Sequence, residues 1–263
     1  MKDIRIGTSG YDYLDWKGPF YAEEEKRSNF LSFYSSRFDT VELNFSYYRM
    51  PTEKQLSSIL ERSEPTMDIS IKAHESMTHK VDCLTWKESV KTYCESITPL
   101  LKADKLAAVL LQFPYSFHYT PEKRQYLDQL IKEMPEIPLV VEFRNSEWLN
   151  KRVFDALRER KVGFCSVDAP PLRGLPAPVD IATSNIAYIR FHGRNEKTWW
   201  GSDAAARFDY RYKEEELHPW INRIITMLKS AEKIRIYFNN HRRGQATDGA
   251  LLFKNLLKKE NLL

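Results

Sequence analysis

The amino-acid sequence predicts a (β/α)8 barrel, an α/β fold in which eight parallel strands alternate with helices and close into a cylinder. Three observations predict this fold. Eight short apolar runs end in polar residues or glycine, segments with helical spacing separate the runs, and a length of 263 residues fits the roughly 250 that the fold needs. The runs are Ile4–Gly7, Thr40–Asn44, Asp68–Ala73, Leu106–Phe113, Pro138–Arg144, Gly163–Asp168, Ala187–Gly193 and Arg235–Asn240.

Apolar residues recur with helical spacing in the segments between the strands. In the first such segment Phe30, Tyr34 and Phe38 share one helix face. Thr120 followed by Pro121 is a helix start signal, because threonine caps the first turn and proline suits the first helical position. The predicted helices cover residues 28–38, 51–60, 86–101, 153–160, 214–228 and 248–259, and a further helix begins at residue 120.

Prolines interrupt the alternation after the sixth strand. Four of the nine positions from 170 to 178 are proline, which lacks the backbone N–H of a helix and clashes with the preceding turn. We therefore predict a proline-rich loop in place of most of the helix after strand six, within a single domain that spans residues 1–263. An open doubly wound sheet is the alternative. Its G-x-G-x-x-G fingerprint is absent after the first strand, where the sequence reads Gly7-Thr8-Ser9-Gly10.

The composition predicts a globular protein with a small excess of positive charge. Apolar residues make up 42% of the chain and the formal net charge is +4, which permits an anionic ligand without demanding nucleic acid. The three cysteines form no CxxC pair, so neither a zinc ribbon nor a redox dithiol is indicated. Free cysteines, the lack of an apolar leader and the lack of a membrane-spanning run predict a cytoplasmic protein without a membrane partner.

Charged and polar side chains are concentrated at the carboxyl ends of the predicted strands. Residues two apart share a strand face, so Glu42 lies on the same side as Asn44, and Glu142 lies on the same side as Arg144. The flanking residues are apolar, which places the charged set inside the barrel and the apolar set under the helices. Since the carboxyl ends of barrel strands meet at one mouth, the sequence predicts the functional site there.

The leading hypothesis is recognition of a phosphate-bearing ligand at this mouth. Arg144 and Arg190 carry the fork-shaped group that grips phosphate or carboxylate, and Lys72 adds a point charge. The loops after strands seven and eight, a frequent phosphate site in this fold, are both basic. Asp248 opposes an anion at the last helix, because it stands where it would cap the helix start. The predicted ligand-binding residues are Asn44, Tyr48, Gln112, Arg144, Arg190, Asn239, Asn240, Arg242 and Gly244.

An enzyme acting on such a ligand, a hydrolase or an isomerase, would find acids and bases at the same strand ends. Glu42 or Glu142 would serve as general acid or base, and His79 or His192 would carry protons near neutral pH. The predicted catalytic residues are Glu42, Lys72, His79, Glu142, Asp168 and His192. No cofactor is predicted, and the oligomeric state stays open.

Other functional classes also fit parts of this pattern. Aromatic residues beside arginines favour a non-catalytic nucleic-acid-binding barrel, and the adjacent Trp199 and Trp200 are the strongest sign, because two neighbouring tryptophans in a polar loop cannot easily both belong to the core. A metal-dependent phosphoesterase would use a divalent ion held by strand-end ligands. These ligands would be Glu42, His74, Glu142, Asp168 and His192. The nearby arginines and the lack of an HxH or HExxH motif oppose it. Two-carboxylate sugar hydrolysis is least favoured, since Gln112 ends strand four.

The ordered strand-end motifs resemble the YecE-like family, also called domain of unknown function 72. They are Ile6-Gly7-Thr8-Ser9-Gly10, Val41-Glu42-Leu43-Asn44, Gln112-Phe113-Pro114, Glu142-Phe143-Arg144, Tyr188-Ile189-Arg190-Phe191-His192-Gly193 and Phe238-Asn239-Asn240. The resemblance implies a TIM barrel of unsettled activity. A suggested similarity to endonuclease-type barrels implies nucleic-acid binding or an endonuclease-like hydrolase. The sequence departs from the family pattern at Tyr11, Tyr115 and Glu196–Trp200, which concerns the aromatic rim and leaves the charged set intact.

Overall fold

Eight parallel strands form the centre of the computed structural model, which describes residues 3–263. They are β1 (Asp3–Thr8), β2 (Thr40–Leu43), β3 (Asp68–Lys72), β4 (Leu106–Gln112), β5 (Leu139–Glu142), β6 (Gly163–Asp168), β7 (Ile186–Phe191) and β8 (Lys233–Phe238). Their order in the sheet is β1-β8-β7-β6-β5-β4-β3-β2. A parallel bridge from Ser9 to Glu42 and a 2.7 Å hydrogen bond from the Gly10 N–H to the Glu42 carbonyl join β1 to β2. The predicted (β/α)8 barrel is therefore confirmed.

Alternation along the strands separates two layers of core. Val41, Leu43, Ile69 and Ile71 belong to the layer that packs under the helices. A smaller cluster from the opposite strand faces fills the barrel interior. It consists of Ala108, Leu110, Val140, Cys165, Val167, Ile186, Tyr188 and Tyr237. This interior packing gives the charged residues at the mouth a mostly apolar floor, as strand parity predicted.

The surrounding helices follow the predicted order. They are α1 (Phe30–Ser35), α2 (Phe45–Tyr48), α3 (Glu53–Arg62), α4 (Trp86–Ser96), α5 (Thr98–Lys102), α6 (Pro121–Lys132), α7 (Lys151–Glu159), α8 (Ala204–Arg207), α9 (Glu214–Leu217), α10 (Pro219–Met227) and α11 (Gln245–Lys259). The predicted helices over 86–101 and 214–228 are each divided in two, because Pro99 and Pro219 lack the N–H that would continue the preceding helix. Within residues 3–263, no helix is both long and apolar enough to cross a membrane.

Side-chain caps explain where two of these helices begin. Thr120 accepts a 3.3 Å hydrogen bond from the Lys123 N–H, and Pro121 occupies the first helical position, as predicted for α6. Thr52 and Gln55 form a reciprocal capping box at the start of α3. Each cap satisfies backbone N–H groups that the first helical turn leaves without a partner.

The expectation that Asp248 caps the last helix is wrong. The residue before α11 is Gly244, whose φ of 72° is a left-handed conformation that glycine adopts without strain. Asp248 lies within the first turn of α11 and forms an ion pair with Arg211. The helix starts earlier than predicted because the turn that ends at Gly244 delivers Gln245 directly into helical geometry.

The segment between β6 and β7 contains no helix in the described structure, as its prolines predicted. The Ser166 hydroxyl holds this loop by donating a 2.6 Å hydrogen bond to the Val179 carbonyl. Leu175, in the same loop, packs against Trp199 and Phe208. The proline-rich loop thus forms part of one wall above the barrel mouth.

A buried ion-pair cluster closes the opposite, amino-terminal end of the barrel. Arg235 on β8 donates a 2.8 Å hydrogen bond from Nε to Asp68 Oδ2 and forms a 2.5 Å ion pair from Nη2 to Asp3 Oδ2. Arg5 contacts the same two carboxylates but is more exposed. The cluster ties together the starts of β1, β3 and β8, far from the mouth.

We expect Arg235→Met to lower the free energy of unfolding by roughly 3 kcal/mol, because removing one partner of a buried pair leaves Asp68 without its main counter-charge. The matched control is Arg5→Met, since Arg5 contacts the same carboxylates with a 27% exposed side chain. That change should cost less than about 1 kcal/mol. Urea-induced unfolding measures both values. Equal losses for the two variants would contradict the assigned role of Arg235.

Candidate functional site

A cavity of about 730 Å³ opens at the carboxyl ends of the strands. Eight of the sequence-predicted site residues line it. They are Asn44, Tyr48, Lys72, His79, Gln112, Arg144, Arg190 and Asn239. Inward parity at a common carboxyl end points Lys72, Gln112 and Arg190 at one mouth, whereas Tyr48 in α2 and His79 reach it from the segments that follow β2 and β3. The cavity is large enough for a small organic ligand.

Arg190 lies at the centre of the cavity floor between two buried glutamates. Its Nη1 donates to Glu142 Oε2 at 2.6 Å and its Nη2 donates to Glu42 Oε1 at 2.7 Å. The second oxygen of Glu42 accepts a 2.7 Å hydrogen bond from the Tyr188 hydroxyl. Burial by itself would lower the pKa of Arg190, but Glu142 and Glu42 raise it above its ordinary value. Arg190 is therefore a permanent cation that links β2, β5 and β7.

Glu142 is the most heavily engaged carboxylate of the mouth. Besides Arg190, it accepts hydrogen bonds from Arg144 Nε and from His192 Nε2, the latter at 3.1 Å. Burial would raise the pKa of Glu142, but Arg144, Arg190 and His192 hold it well below its usual value. Glu142 therefore stays ionised across the neutral range. It lies beneath the cavity lining instead of within it.

His192 is a buried neutral imidazole with a defined tautomer. Asn239 Nδ2 lies 3.1 Å from His192 Nδ1 and donates to it, so Nε2 carries the hydrogen that Glu142 accepts. Burial first, and Arg144 second, lower the pKa of His192 to about 3. His192 does not itself line the cavity, whereas its hydrogen-bond partner Asn239 does.

Lys72, at the end of β3, differs from the arginines because its side-chain hydrogen-bond partner is a neutral amide. Its Nζ donates a 2.7 Å hydrogen bond to Gln112 Oε1 and lies 4.0 Å from the centre of the Tyr47 ring. Burial, and then the charges of Arg190 and Arg144, lower its pKa to about 7, while Glu142 and Glu42 act in the opposite direction. Lys72 is thus a half-protonated amine in the cavity wall at neutral pH.

His79 lines the cavity beside Lys72. Its Nδ1 lies 2.9 Å from the Thr78 hydroxyl, and its ring meets the Tyr47 ring edge-on at 4.9 Å between centres. Burial, followed by the charge of Lys72, lowers the pKa of His79 to about 4. The imidazole is therefore neutral at neutral pH, and its hydrogen bond to Thr78 leaves Nε2 for the cavity.

Asp168 does not line the cavity, although it ends β6 as predicted. Arg194 donates two hydrogen bonds to its carboxylate, from Nε at 2.9 Å and from Nη2 at 2.7 Å. Tyr212 and Trp220 donate to the two oxygens at 2.7 and 3.0 Å. These four bonds saturate the carboxylate and fix the loop after β7 to α10. The predicted catalytic role of Asp168 stays a prediction that this placement does not favour.

Three predicted ligand-binding residues after β8 also lie outside the cavity lining. Asn240 donates a 2.6 Å hydrogen bond to the Tyr210 carbonyl, and Arg242 forms an ion pair with Asp209. Gly244 sits where an added Cβ would lie 2.8 Å from Pro19. Their contacts join the loop after β8 to neighbouring loops, and a direct role in ligand binding stays a prediction for each.

Sequence reasoning missed part of the cavity wall that follows β7. Arg207, Phe208 and Asp203 line the cavity, and so does His241 from the loop after β8. Arg207 ends the short helix α8, whose Ala-Ala-Ala-Arg sequence carries no sign of a ligand site. Only the folding of this segment back over the mouth brings its arginine above Arg144 and Arg190.

The aromatic rim is divided between core and surface. Trp199 is only 3% exposed and packs against Phe208, whereas Trp200 is 49% exposed and its ring centre lies 4.9 Å from that of Tyr115. The expectation that the two tryptophans cannot both belong to the core is confirmed. Tyr48, 72% exposed, lies on another part of the rim.

No group of three or more histidine, cysteine, aspartate or glutamate side chains in the described part of the chain could hold a metal ion. The predicted ligands Glu42 and Glu142 contact Arg190, and Asp168 contacts Arg194. His74 Nδ1 lies 2.9 Å from the Ser76 hydroxyl, in the turn after β3. His192 contacts Glu142, so three of the five predicted metal ligands belong to the Arg190 network, whereas Asp168 and His74 have other partners.

A cavity with buried arginines at the carboxyl mouth places this protein among TIM-barrel proteins with a candidate ligand site at the usual face of the fold. Sequence comparison gives the family. The family described as "Protein of unknown function DUF72" matches residues 5–262, and the chain belongs to it. The resemblance found in the strand-end motifs is confirmed.

Relatives with this architecture cover nearly the whole chain. UPF0759 protein YunF of Bacillus subtilis (strain 168) is 28% identical over an alignment of 272 positions that covers 98% of this chain and 95% of that protein. A solved DUF72 family protein of Thermotoga maritima MSB8 has a TM-score of 0.89 and 35% identity, covering 97% and 99% of the two chains. A second, from Enterococcus faecalis V583, has a TM-score of 0.86 and 26% identity, covering 97% and 95%. None of these names states a substrate.

The neutral state of His192 predicts a pH dependence of stability. Its pKa of about 3 lies below the model-peptide value of 6.5, so the unfolded chain binds the extra proton. The free energy of unfolding should therefore fall as the pH decreases from about 6.5 towards 3, by up to about 1.4 kcal/mol per pH unit from this residue. His192→Gln, which keeps an N–H donor for Glu142, should remove that part of the decline.

The matched control for this prediction is His118→Gln, because His118 is a half-exposed histidine that also contacts a glutamate. Urea unfolding of the three proteins between pH 6.5 and 5.5 tests the effect above the range in which ordinary carboxyl groups titrate. A slope in His192→Gln equal to that of the wild type would show that His192 does not carry the effect.

Proposed function

We propose that this DUF72 protein is an enzyme that binds a small phosphate-bearing substrate in the mouth cavity. The observation that carries the proposal is the placement of three arginines, Arg144, Arg190 and Arg207, in the lining of one cavity at the carboxyl face. Guanidinium groups bind phosphate through paired hydrogen bonds, and a partly desolvated setting strengthens each of them. Hydrolysis or isomerisation is the reaction class that the neighbouring acids and bases support.

The balance of charge in the mouth favours an anion. Glu42 and Glu142 together neutralise two cations, of which Arg190 is one, since it bonds to both. Arg144 also contacts Glu142, so the two carboxylates are shared among the arginines of the floor. Arg207 on the opposite wall adds a further positive charge that forms no ion pair within salt-bridge distance in the described residues, and Lys72 adds a partial one. Asp203, which also lines the cavity, offsets one of these charges, and an anionic ligand would pair with the cations that the carboxylates of the floor do not reach.

Buried polar atoms without partners also support a ligand. Within residues 3–263, Asn44 Oδ1, Arg190 Nε and Arg207 Nε are buried and form no hydrogen bond. All three belong to residues that line the cavity. Buried donors and acceptors are rarely left unpaired in folded proteins, because each costs about 1–3 kcal/mol. A polar ligand in this cavity would provide partners for them.

The proposed proton chemistry uses His79 at the cavity surface. Glu42 and Glu142 are fully buried and tied to Arg190, so neither meets a ligand directly. His79 lines the cavity, and the negative charge of a bound anion would raise its lowered pKa towards the range in which an imidazole accepts a proton. His192 and Glu142 would act from below by holding Arg144 and Asn239 in place.

Arg207→Gln provides the sharpest test of anion binding. Arg207 has no carboxylate partner within salt-bridge distance in the described residues, so its removal leaves no buried charge behind. We expect the affinity for glycerol 3-phosphate, measured by isothermal titration calorimetry, to fall about tenfold to a hundredfold, the loss typical of a charged hydrogen bond. Arg158→Gln, a change to an exposed arginine on α7, is the control and should leave the affinity unchanged.

Arg190→Ala is a poor variant for this purpose, because it would leave Glu42 and Glu142 buried without their shared cation and would destabilise the fold. If wild-type protein binds neither inorganic phosphate nor glycerol 3-phosphate, or if Arg207→Gln binds them equally well, the proposed anion site is wrong.

A second candidate function, single-stranded nucleic-acid binding, is favoured by the exposed aromatic rim of Tyr48, Tyr115 and Trp200. Such rings stack on bases beside a basic groove. In this case, Trp200→Ala should weaken oligonucleotide binding about tenfold, and the affinity should fall steeply with salt. Fluorescence anisotropy with a labelled oligonucleotide measures both. Ile225→Ala, at an exposed apolar residue of α10, is the control, and a salt-independent affinity would contradict this candidate.

A further inference from the structure

Lys72 has a place in the cavity that its role as a point charge does not explain. It is the last residue of β3, and its inward parity puts the amine in the wall of the mouth. The cations of the floor, Arg144 and Arg190, each form an ion pair with a carboxylate. Lys72 forms none within salt-bridge distance in the part of the chain that the structure describes, and its one side-chain acceptor is the neutral amide of Gln112.

The surroundings of Lys72 favour the uncharged amine. Burial has the largest effect on the pKa of Lys72; the cations Arg190 and Arg144 also lower it, and the buried carboxylates Glu142 and Glu42 act against them. An amine that lies deep in a protein and beside other cations loses its proton readily, which is how lysine becomes a nucleophile in enzymes. The Tyr47 ring, 4.0 Å from Nζ, fixes its position.

We propose that Lys72 is a catalytic nucleophile that forms an imine with a carbonyl group of the anionic substrate, whose phosphate Arg144 and Arg207 hold. This inference rests on the proposed anion site and narrows its substrate to aldehydes or ketones that carry a phosphate. The lone pair of Nζ attacks the carbonyl carbon, and the new C–N bond forms as the C=O π electrons move to oxygen. That oxygen takes up the proton which nitrogen releases, giving a carbinolamine.

Loss of water completes the imine. The carbinolamine hydroxyl takes up one proton and leaves as water, the C–O bond breaks, and the nitrogen lone pair forms the C=N bond. One carbonyl group and one ammonium group thus give one protonated imine and one water. The protonated imine would keep the position of Lys72 over the Tyr47 ring, where a cation is stabilised. Neutral His79, which also lines the cavity, would move the protons.

The acidity of Lys72 supports this assignment. With a pKa of about 7 in place of 10.5, about half of the amine is unprotonated at pH 7. An exposed lysine has fewer than about one molecule in a thousand in that state. Lys72 should therefore react with carbonyl compounds at a pH where other lysines react slowly.

Reduction with sodium borohydride tests the imine. The wild-type protein is incubated at pH 7 with dihydroxyacetone phosphate, reduced, digested and analysed by peptide mass spectrometry. We expect the peptide with Lys72 to gain the mass of the compound less one oxygen atom, and to be labelled at least about tenfold more than the peptide with Lys151, whose side chain is 89% exposed. Lys72→Arg, whose guanidinium does not form an imine under these conditions, should lose the label.

Two comparisons separate failure of this inference from failure of the anion site. Glycerol 3-phosphate carries the phosphate without a carbonyl group, so its binding tests the anion site alone. If it binds while Lys72 is labelled no more than Lys151, the imine is refuted and the anion site stands. If Lys72 is labelled equally by dihydroxyacetone and dihydroxyacetone phosphate, and glycerol 3-phosphate does not bind, the phosphate-bearing substrate is refuted. The wild-type labelling pattern decides these cases even if Lys72→Arg folds poorly.

Discussion

The buried arrangement of Arg190 between Glu42 and Glu142 is the constraint on which the mouth depends. A buried charge is tolerated only when opposite charges and hydrogen bonds surround it, so the three side chains require one another. They come from β7, β2 and β5, and their bonds of 2.6 and 2.7 Å tie these strands together across the barrel. The network also holds Arg144, His192 and Tyr188 in place, because each of them bonds to one of the two carboxylates.

The network also divides the mouth into a structural floor and a reactive wall. Glu42 and Glu142 pair with Arg190 below the cavity surface, and His192 donates to Glu142. Their burial keeps these three side chains away from any ligand. Arg207, Lys72 and His79 face the cavity with few polar partners. The contrast has a simple electrostatic origin: Glu42 and Glu142 pair with the arginines of the floor, so Lys72 and Arg207 have no carboxylate within salt-bridge distance in the described residues. An anion and an electrophilic carbonyl carbon are the ligand features that complement such a wall.

Much of the fold could be predicted from the sequence, because the evidence for it is local. The apolar runs, the helix start at Thr120 and the prolines after β6 each act within a few residues, and each prediction is confirmed. Boundaries were less accurate where proline divided a helix, as at Pro99 and Pro219, or where a left-handed glycine began one, as at Gly244. Strand parity, together with the position of the loops that follow the strands, also located the mouth and eight of its lining residues.

The sequence by itself thus determined the barrel, the face that carries the site and the charged residues of its floor, since strand parity and strand ends are properties of short segments. Only the tertiary structure decided which of these residues meet a ligand. It tied Asp168 to Arg194, Tyr212 and Trp220, and it folded Arg207 over the cavity. It also gave Lys72 a neutral neighbour in place of a carboxylate. These outcomes depend on contacts between residues far apart in the chain, and no local pattern specifies which charges will pair when several compete for the same partner.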